Sequence, residues 1–104
     1  MPTTTLTAPA ATEVAVMPGG WMTFDFTLTP KAQEIFKKAV NLVGVSYTPL
    51  AFATQVVAGT NWCFLAKGAV AVFGAPQIAA LLYVFEPLDG SPYLTEIKQI
   101  KPGR

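Results

Sequence analysis

The most regular pattern in the chain is an apolar stripe at helical spacing, which lies between a helix-starting and a helix-ending signal. The stripe consists of Ala32, Ile35, Phe36, Ala39, Val40 and Val43. Intervals of three and four residues place such side chains on one face of an α-helix. Thr29 is a typical N-cap, Pro30 suits the first helical position, and Gly44 suits the C-terminal end. We therefore predict one helix over residues 30–43 with a buried apolar face.

Branched and aromatic residues dominate most of the chain after this helix, and such segments favour strands. The predicted strands are residues 50–57, 61–72, 77–86 and 93–100. Before the helix, residues 21–28 alternate roughly and predict a short strand or extended arm. A helix and an antiparallel meander that each have one apolar face bury those faces against each other. The expected fold class is α+β, with an antiparallel sheet of four to five strands wrapped around one helix.

The composition indicates a single folded domain with little surface charge. The chain has 104 residues, of which 52% are hydrophobic and only 12% charged, and its net charge is +1. This balance excludes a disordered chain and leaves apolar surface for a partner or for self-association. The cations are scattered rather than clustered, so no nucleic-acid partner is expected.

The residue types that most enzymes need are scarce. The sequence has no histidine, so it lacks the commonest general base and the usual zinc ligand. Its single cysteine, Cys63, cannot form an intrachain disulfide and is expected to be a buried, unreactive thiol. The acidic residues follow no motif and are interpreted as solvated charges. We expect no enzymatic activity, no cofactor and no metal.

The beginning of the chain carries no recognisable targeting signal. Residues 1–17 lack a basic segment followed by a continuous apolar one, and we interpret them as a flexible N-terminal extension. The longest apolar run, residues 78–85, is the size of a strand rather than of a membrane span. These features predict a cytoplasmic protein without a membrane partner.

Three short motifs stand in the same order as in a known family. Gln55, Val56, Val57, Ala58 and Gly59 occupy the first predicted strand reversal and precede Thr60, Asn61 and Trp62. This sequence resembles the first hairpin of the cystatin superfamily, most closely that of the stefins. Pro18, Gly19 and Gly20 resemble the segment near a stefin N-terminus, and the start of the predicted helix resembles the opening of the stefin helix. The resemblance covers residues 17–100.

The resemblance implies a fold and an activity. It implies a cystatin fold over residues 18–104 and reversible, competitive inhibition of papain-like cysteine proteases of the cathepsin type. In stefins a wedge of three segments blocks the active-site cleft of the protease. Carried over to this chain, the wedge consists of an N-terminal segment (Pro18, Gly19 and Gly20), a first hairpin (Gln55, Val56, Val57, Ala58 and Gly59) and a second hairpin (Leu88, Asp89 and Gly90).

Some residues depart from the family pattern and leave an alternative open. Asp89 places a charge where stefins often have proline, and Trp21 is bulkier than the usual leucine after the glycines. The alternative is a cystatin-fold module that does not inhibit proteases and instead binds another protein or itself. The apolar strands and the tight turn at Ala58 and Gly59 also predict a homodimer formed by domain swapping, in which that hairpin opens.

Overall fold

One helix packs against a single four-stranded antiparallel sheet. The computed structural model describes residues 20–103. In this part of the chain the elements are α1 (Pro30–Ala39), β1 (Val45–Val57), β2 (Gly59–Val70), β3 (Ile78–Glu86) and β4 (Tyr93–Ile100). Each strand pairs with the next, so the sheet is a meander with the order β1-β2-β3-β4. The predicted α+β class, with one helix and an antiparallel sheet, is confirmed.

Helix α1 begins where the sequence predicts. The hydroxyl of Thr29 accepts a hydrogen bond from the backbone N–H of Ala32 at 3.1 Å, which satisfies one of the free donors at the helix start. Ile35 and Phe36 are buried against the sheet. Glu34 and Lys38, four residues apart, form an ion pair at 3.1 Å on the exposed side of the helix.

The predicted end of the helix is wrong. Helix α1 stops at Ala39, and Val40 has an extended backbone with φ −106° and ψ 92°. The side chain of Asn41 donates to the carbonyl of Lys38 at 3.0 Å, so a side chain rather than Gly44 caps the last turn. Val43, which the apolar stripe predicts to be buried, is fully exposed. A β-branched residue has low helix propensity, and no sheet surface lies beneath Val43 to offset that cost.

Alternate residues of the central strands form the core beneath the helix. The buried set includes Trp62, Phe64 and Ala66 from β2, and Ala80, Leu82 and Val84 from β3. The ring of Phe36 meets that of Phe64 edge-on, with centroids 5.0 Å apart. The rings of Trp62 and Phe64 lie nearly parallel, with centroids 5.9 Å apart. Because successive side chains of a strand point to opposite faces, these alternate residues all lie on the sheet face that contacts α1.

The segment before the helix runs antiparallel along the outer edge of β1. We call residues 20–28 the arm. Trp21 forms a bridge with Gln55, and Asp25 forms one with Phe52. Asp25 and Phe52 exchange both backbone hydrogen bonds, at 2.8 and 3.0 Å. The indole of Trp21 reaches across the face opposite α1 and meets the ring of Tyr83 edge-on at 6.1 Å. The prediction of a short strand or extended arm over residues 21–28 is confirmed.

The strand boundaries differ from the predicted ones mainly at β1. This strand begins at Val45 rather than at residue 50, and its register shifts between Pro49 and Ala51. The first part of the strand was not predicted because it contains Pro49. Proline lacks a backbone donor and usually lies at strand edges or bulges, so it argues against a continuous strand. Within residues 20–103 no helix has both the length and the apolar character to cross a membrane. The predicted extension over residues 1–17 lies outside the described residues.

Candidate functional site

The strand registers bring the two predicted hairpin segments, and Gly20 of the predicted N-terminal segment, to one end of the sheet. We call this end the hairpin end. Val57 pairs with Gly59 across the first reversal, and Thr60 pairs with Glu86, after which the chain enters the second loop. The bridge between Trp21 and Gln55 places Gly20 beside the same end. Pro18 and Gly19 lie outside the described residues. Gly20, the first hairpin and the loop containing Leu88, Asp89 and Gly90 are therefore neighbours.

The tip of the first hairpin is small, apolar and exposed. Val56 is 52% exposed and Val57 is 41% exposed, and Ala58 alone joins the two strands. Gln55 lies below the tip, where its side-chain oxygen accepts a hydrogen bond from the amide of Asn61 at 2.8 Å. Gln55 thus ties the two strands of the hairpin together, while the valines and Ala58 face outwards.

Gly59 is the one buried residue of this tip, and two physical constraints require glycine there. Its φ is +115°, in the region that L side chains rarely adopt. A Cβ atom at this position would lie 2.6 Å from the carbonyl oxygen of Glu86 and 2.8 Å from the ring of Phe85. The turn therefore packs directly against the end of β3, which fixes its position relative to the second loop.

Glu86 connects the helix to the hairpin end. Its carboxylate accepts a hydrogen bond from the Lys31 ammonium at 2.9 Å and one from the Trp62 indole N–H at 3.2 Å. The Lys31 ammonium holds the pKa of Glu86 below its usual value, and the indole N–H acts in the same direction while burial opposes both. The interpretation of all acidic residues as solvated charges is therefore wrong for Glu86. Sequence reasoning missed it because Lys31 is 55 residues away.

The tether formed by Lys31 and Glu86 should show in the pH dependence of stability. The lowered pKa of folded Glu86 means that its contribution is present above the ordinary carboxyl pKa of 4.5 and is lost as pH falls through the folded value. Glu86→Gln keeps an acceptor for Trp62 but removes the charge. We expect this variant to melt below wild type at neutral pH and level with it in strong acid. Thermal melts at both pH values test this, and an equal difference at both would contradict it.

Cys63 is buried on the sheet face opposite α1, as predicted. Burial raises the pKa of its thiol, and hydrogen bonding with Tyr83 offsets this only in part. A thiol with a raised pKa is protonated at neutral pH and is a poor nucleophile. Among residues 20–103 no cluster of histidine, cysteine, aspartate and glutamate could hold a metal ion.

The second loop presents a different kind of surface from the first. Leu88 is 85% exposed, and Asp89 and Gly90 are exposed beside it. Phe85 and Tyr93, which flank the loop at its base, meet edge-on with ring centroids 5.9 Å apart. The loop thus offers one apolar side chain and one carboxylate from a base held by an aromatic pair. Phe85 also contacts the position of Gly59, so the same ring supports both loops.

Comparison with known proteins adds no relative to this description. The chain matches no protein family, no curated protein and no solved structure.

Proposed function

We propose that the chain adopts a cystatin fold and acts as a reversible, competitive inhibitor of papain-like cysteine proteases. One observation carries this proposal: the resembling residues Gln55 to Gly59 form the tip of a hairpin that lies beside the second loop and the start of the arm. The arm along β1 supplies an additional, partly formed strand on the sheet, which supports the fold part of the proposal. Inhibition here needs no catalytic group, because the wedge acts by occluding the cleft.

The first hairpin is the centre of the wedge. Val56 and Val57 enter the active-site cleft, where apolar contact replaces water around both side chains. The hairpin is held in shape before binding by the bond between Gln55 and Asn61 and by the packing of Gly59 on Phe85. A preformed tip loses little conformational entropy on binding, so more of the contact energy appears as affinity.

The flanking segments extend the contact on either side of this tip. Leu88 packs against the rim of the cleft, and Asp89 stays at the solvent-exposed edge, because an unpaired buried charge would weaken binding. On the other side, the arm pairs with β1 through backbone hydrogen bonds, which places Gly20, its first residue, beside the tip of the first hairpin. The resemblance assigns Gly19 and Pro18 to the substrate subsites of the protease.

Titration of active papain with the purified protein tests the proposal. We expect residual activity to fall to zero at a stoichiometric ratio near one, with competitive kinetics and recovery after dilution. A cysteine protease of the cathepsin type serves as the second target, and a serine protease of similar substrate preference serves as the control. If neither papain nor the cathepsin loses activity, the non-inhibitory module is favoured instead.

A domain-swapped dimer should inhibit poorly. Opening the turn at Ala58 would turn β1 and β2 into one long strand and remove the first hairpin. We expect the dimer fraction from size-exclusion chromatography to inhibit papain far less than the monomer fraction. A dimer that inhibits as well as the monomer would show that association leaves the hairpin intact.

A further inference from the structure

Two loops at the far end of the sheet expose large apolar side chains to solvent. Residues 41–44 join α1 to β1, and residues 71–77 join β2 to β3. We call these two segments the loop end. The backbone N–H of Ala71 donates to the carbonyl of Gly44 at 2.8 Å, which holds the two loops together. The strand directions place the loop end opposite the hairpin end.

The exposure of these side chains exceeds what single scattered apolar residues show. Val43 and Phe73 are fully exposed, at 101% and 105%, and Val72 is 65% exposed. Leu42, at 41%, lies beside Val43. Neither loop contains a charged residue. Two apolar tips fixed to each other on adjacent loops form a surface that water solvates poorly.

Lysines surround the loop end, whereas most carboxylates lie elsewhere. The exposed lysines on this half of the sheet are Lys37 in the last turn of α1, Lys67 and Lys98 near the ends of β2 and β4, and Lys101 just after β4. Lys31 and Lys38 act instead on the carboxylate of Glu86. Glu86 and Asp89 stand at the hairpin end. Glu34 is near the lysines, but it is paired with Lys38 at 3.1 Å. The described part of the loop end therefore carries more lysines than carboxylates, and Glu96 and Asp25 lie at the middle of the sheet, opposite Tyr83 and Phe52.

We propose that the loop end binds anionic lipid surfaces, which replaces the expectation from the sequence that the protein has no membrane partner. Val43 and Phe73 enter the interface between headgroups and acyl chains, and the surrounding lysines contact the anionic headgroups. Apolar tips together with a basic surround are the combination that interfacial binding needs, since each strengthens the other. A second copy of the chain fits this surface less well, because two loop ends in contact would bring two sets of lysines together.

This binding mode leaves the proposed inhibitory surface free. The hairpin end points away from a bilayer that is contacted by the loop end, so lipid and protease do not compete for the same residues. The inference stands independently of the proposed function, because none of the residues at Gln55 to Gly59 or at Leu88 to Gly90 takes part in it.

Sedimentation with lipid vesicles tests the inference. The probe is phosphatidylcholine vesicles containing about 30% phosphatidylserine, compared with pure phosphatidylcholine, at about 0.1 M salt. We expect binding to the anionic vesicles, weak binding to the neutral ones, and a decrease as salt is raised. The double variant Val43→Ser with Phe73→Ser should bind about tenfold more weakly. Lys98→Glu with Lys101→Glu should weaken binding to anionic vesicles by about the same factor.

Two controls make the result decisive. Phe26→Ser removes another exposed phenylalanine, 70% exposed on the arm, and should bind as wild type does. Phe73→Leu keeps an apolar tip and should retain most of the binding. Circular dichroism checks that each variant is folded. We expect all of them to fold, because the changed side chains are exposed. Failure of wild type to bind anionic vesicles, or equal binding by the Val43 and Phe73 variant, overturns the inference. So does a lipid-free dimer that this double variant abolishes.

Discussion

Replacing Val57 by aspartate is expected to weaken inhibition of papain by roughly one to three orders of magnitude. Val57 is the last residue of β1 and stands at the exposed tip of the first hairpin. In the proposed complex this side chain leaves water, so a carboxylate there loses its hydration without gaining a partner. The cost is a few kcal/mol, and each 1.4 kcal/mol corresponds to about a tenfold change in affinity.

A matched substitution at the other end of the sheet makes this prediction specific. Val72 is also an exposed valine, but it lies on the loop between β2 and β3, so Val72→Asp should inhibit as wild type does. Cys63→Ser, inside the sheet, should also leave inhibition near wild type if the variant folds. Inhibition constants and circular dichroism are measured for all three variants. A folded Val57→Asp protein with wild-type inhibition would refute the wedge and leave the non-inhibitory module.

Replacing Gly59 by alanine is expected to destabilise the fold by about 3 kcal/mol or more, whatever the protein binds. An alanine at this position has to adopt a φ of +115°, and its Cβ has to displace the carbonyl oxygen of Glu86, which would be only 2.6 Å away. Backbone cannot move as cheaply as the end of a side chain. For a domain of this size the loss corresponds to a decrease in melting temperature of roughly 12 to 24 °C.

Gly44 provides the control for Gly59. It too has a positive φ, +91°, but a Cβ atom there would meet nothing within 4 Å. Gly44→Ala therefore carries only the backbone strain, about 1 kcal/mol, and should melt well above Gly59→Ala. The two melting temperatures separate strain from steric conflict. Equal destabilisation of both variants would show that the hairpin does not pack against the end of β3.

Local sequence signals predicted the helix start and the first hairpin correctly. The N-cap of Thr29 and the turn at Ala58 depend on residues within a few positions of each other, so the sequence carries the whole signal. The end of the helix depended instead on where the sheet surface stops. Val43 has the right spacing for the apolar stripe, but the folded chain leaves nothing beneath it.

Contacts between distant segments account for what the sequence did not show at the site. The proximity of the two loops follows from the meander, and the motifs predicted it. The bonds from Lys31 and Trp62 to Glu86 could not be predicted, because the partners are 55 and 24 residues apart in the sequence. The steric need for glycine at position 59 likewise arises from Phe85 and Glu86, which approach it only in the folded sheet.

The irregularity at Pro49 has a consequence for association at high protein concentration. The arm covers the outer edge of β1 from Phe52 to Gln55, and beyond it Pro49 offers no N–H to an incoming strand. This side of the sheet is therefore a poor template for an added strand. Among residues 20–103 the opposite edge strand, β4, pairs with β3 alone, so within this part of the chain its outer backbone groups are open to another chain. Growth of ordered aggregates should begin at β4, where Lys98 provides a charge that slows it.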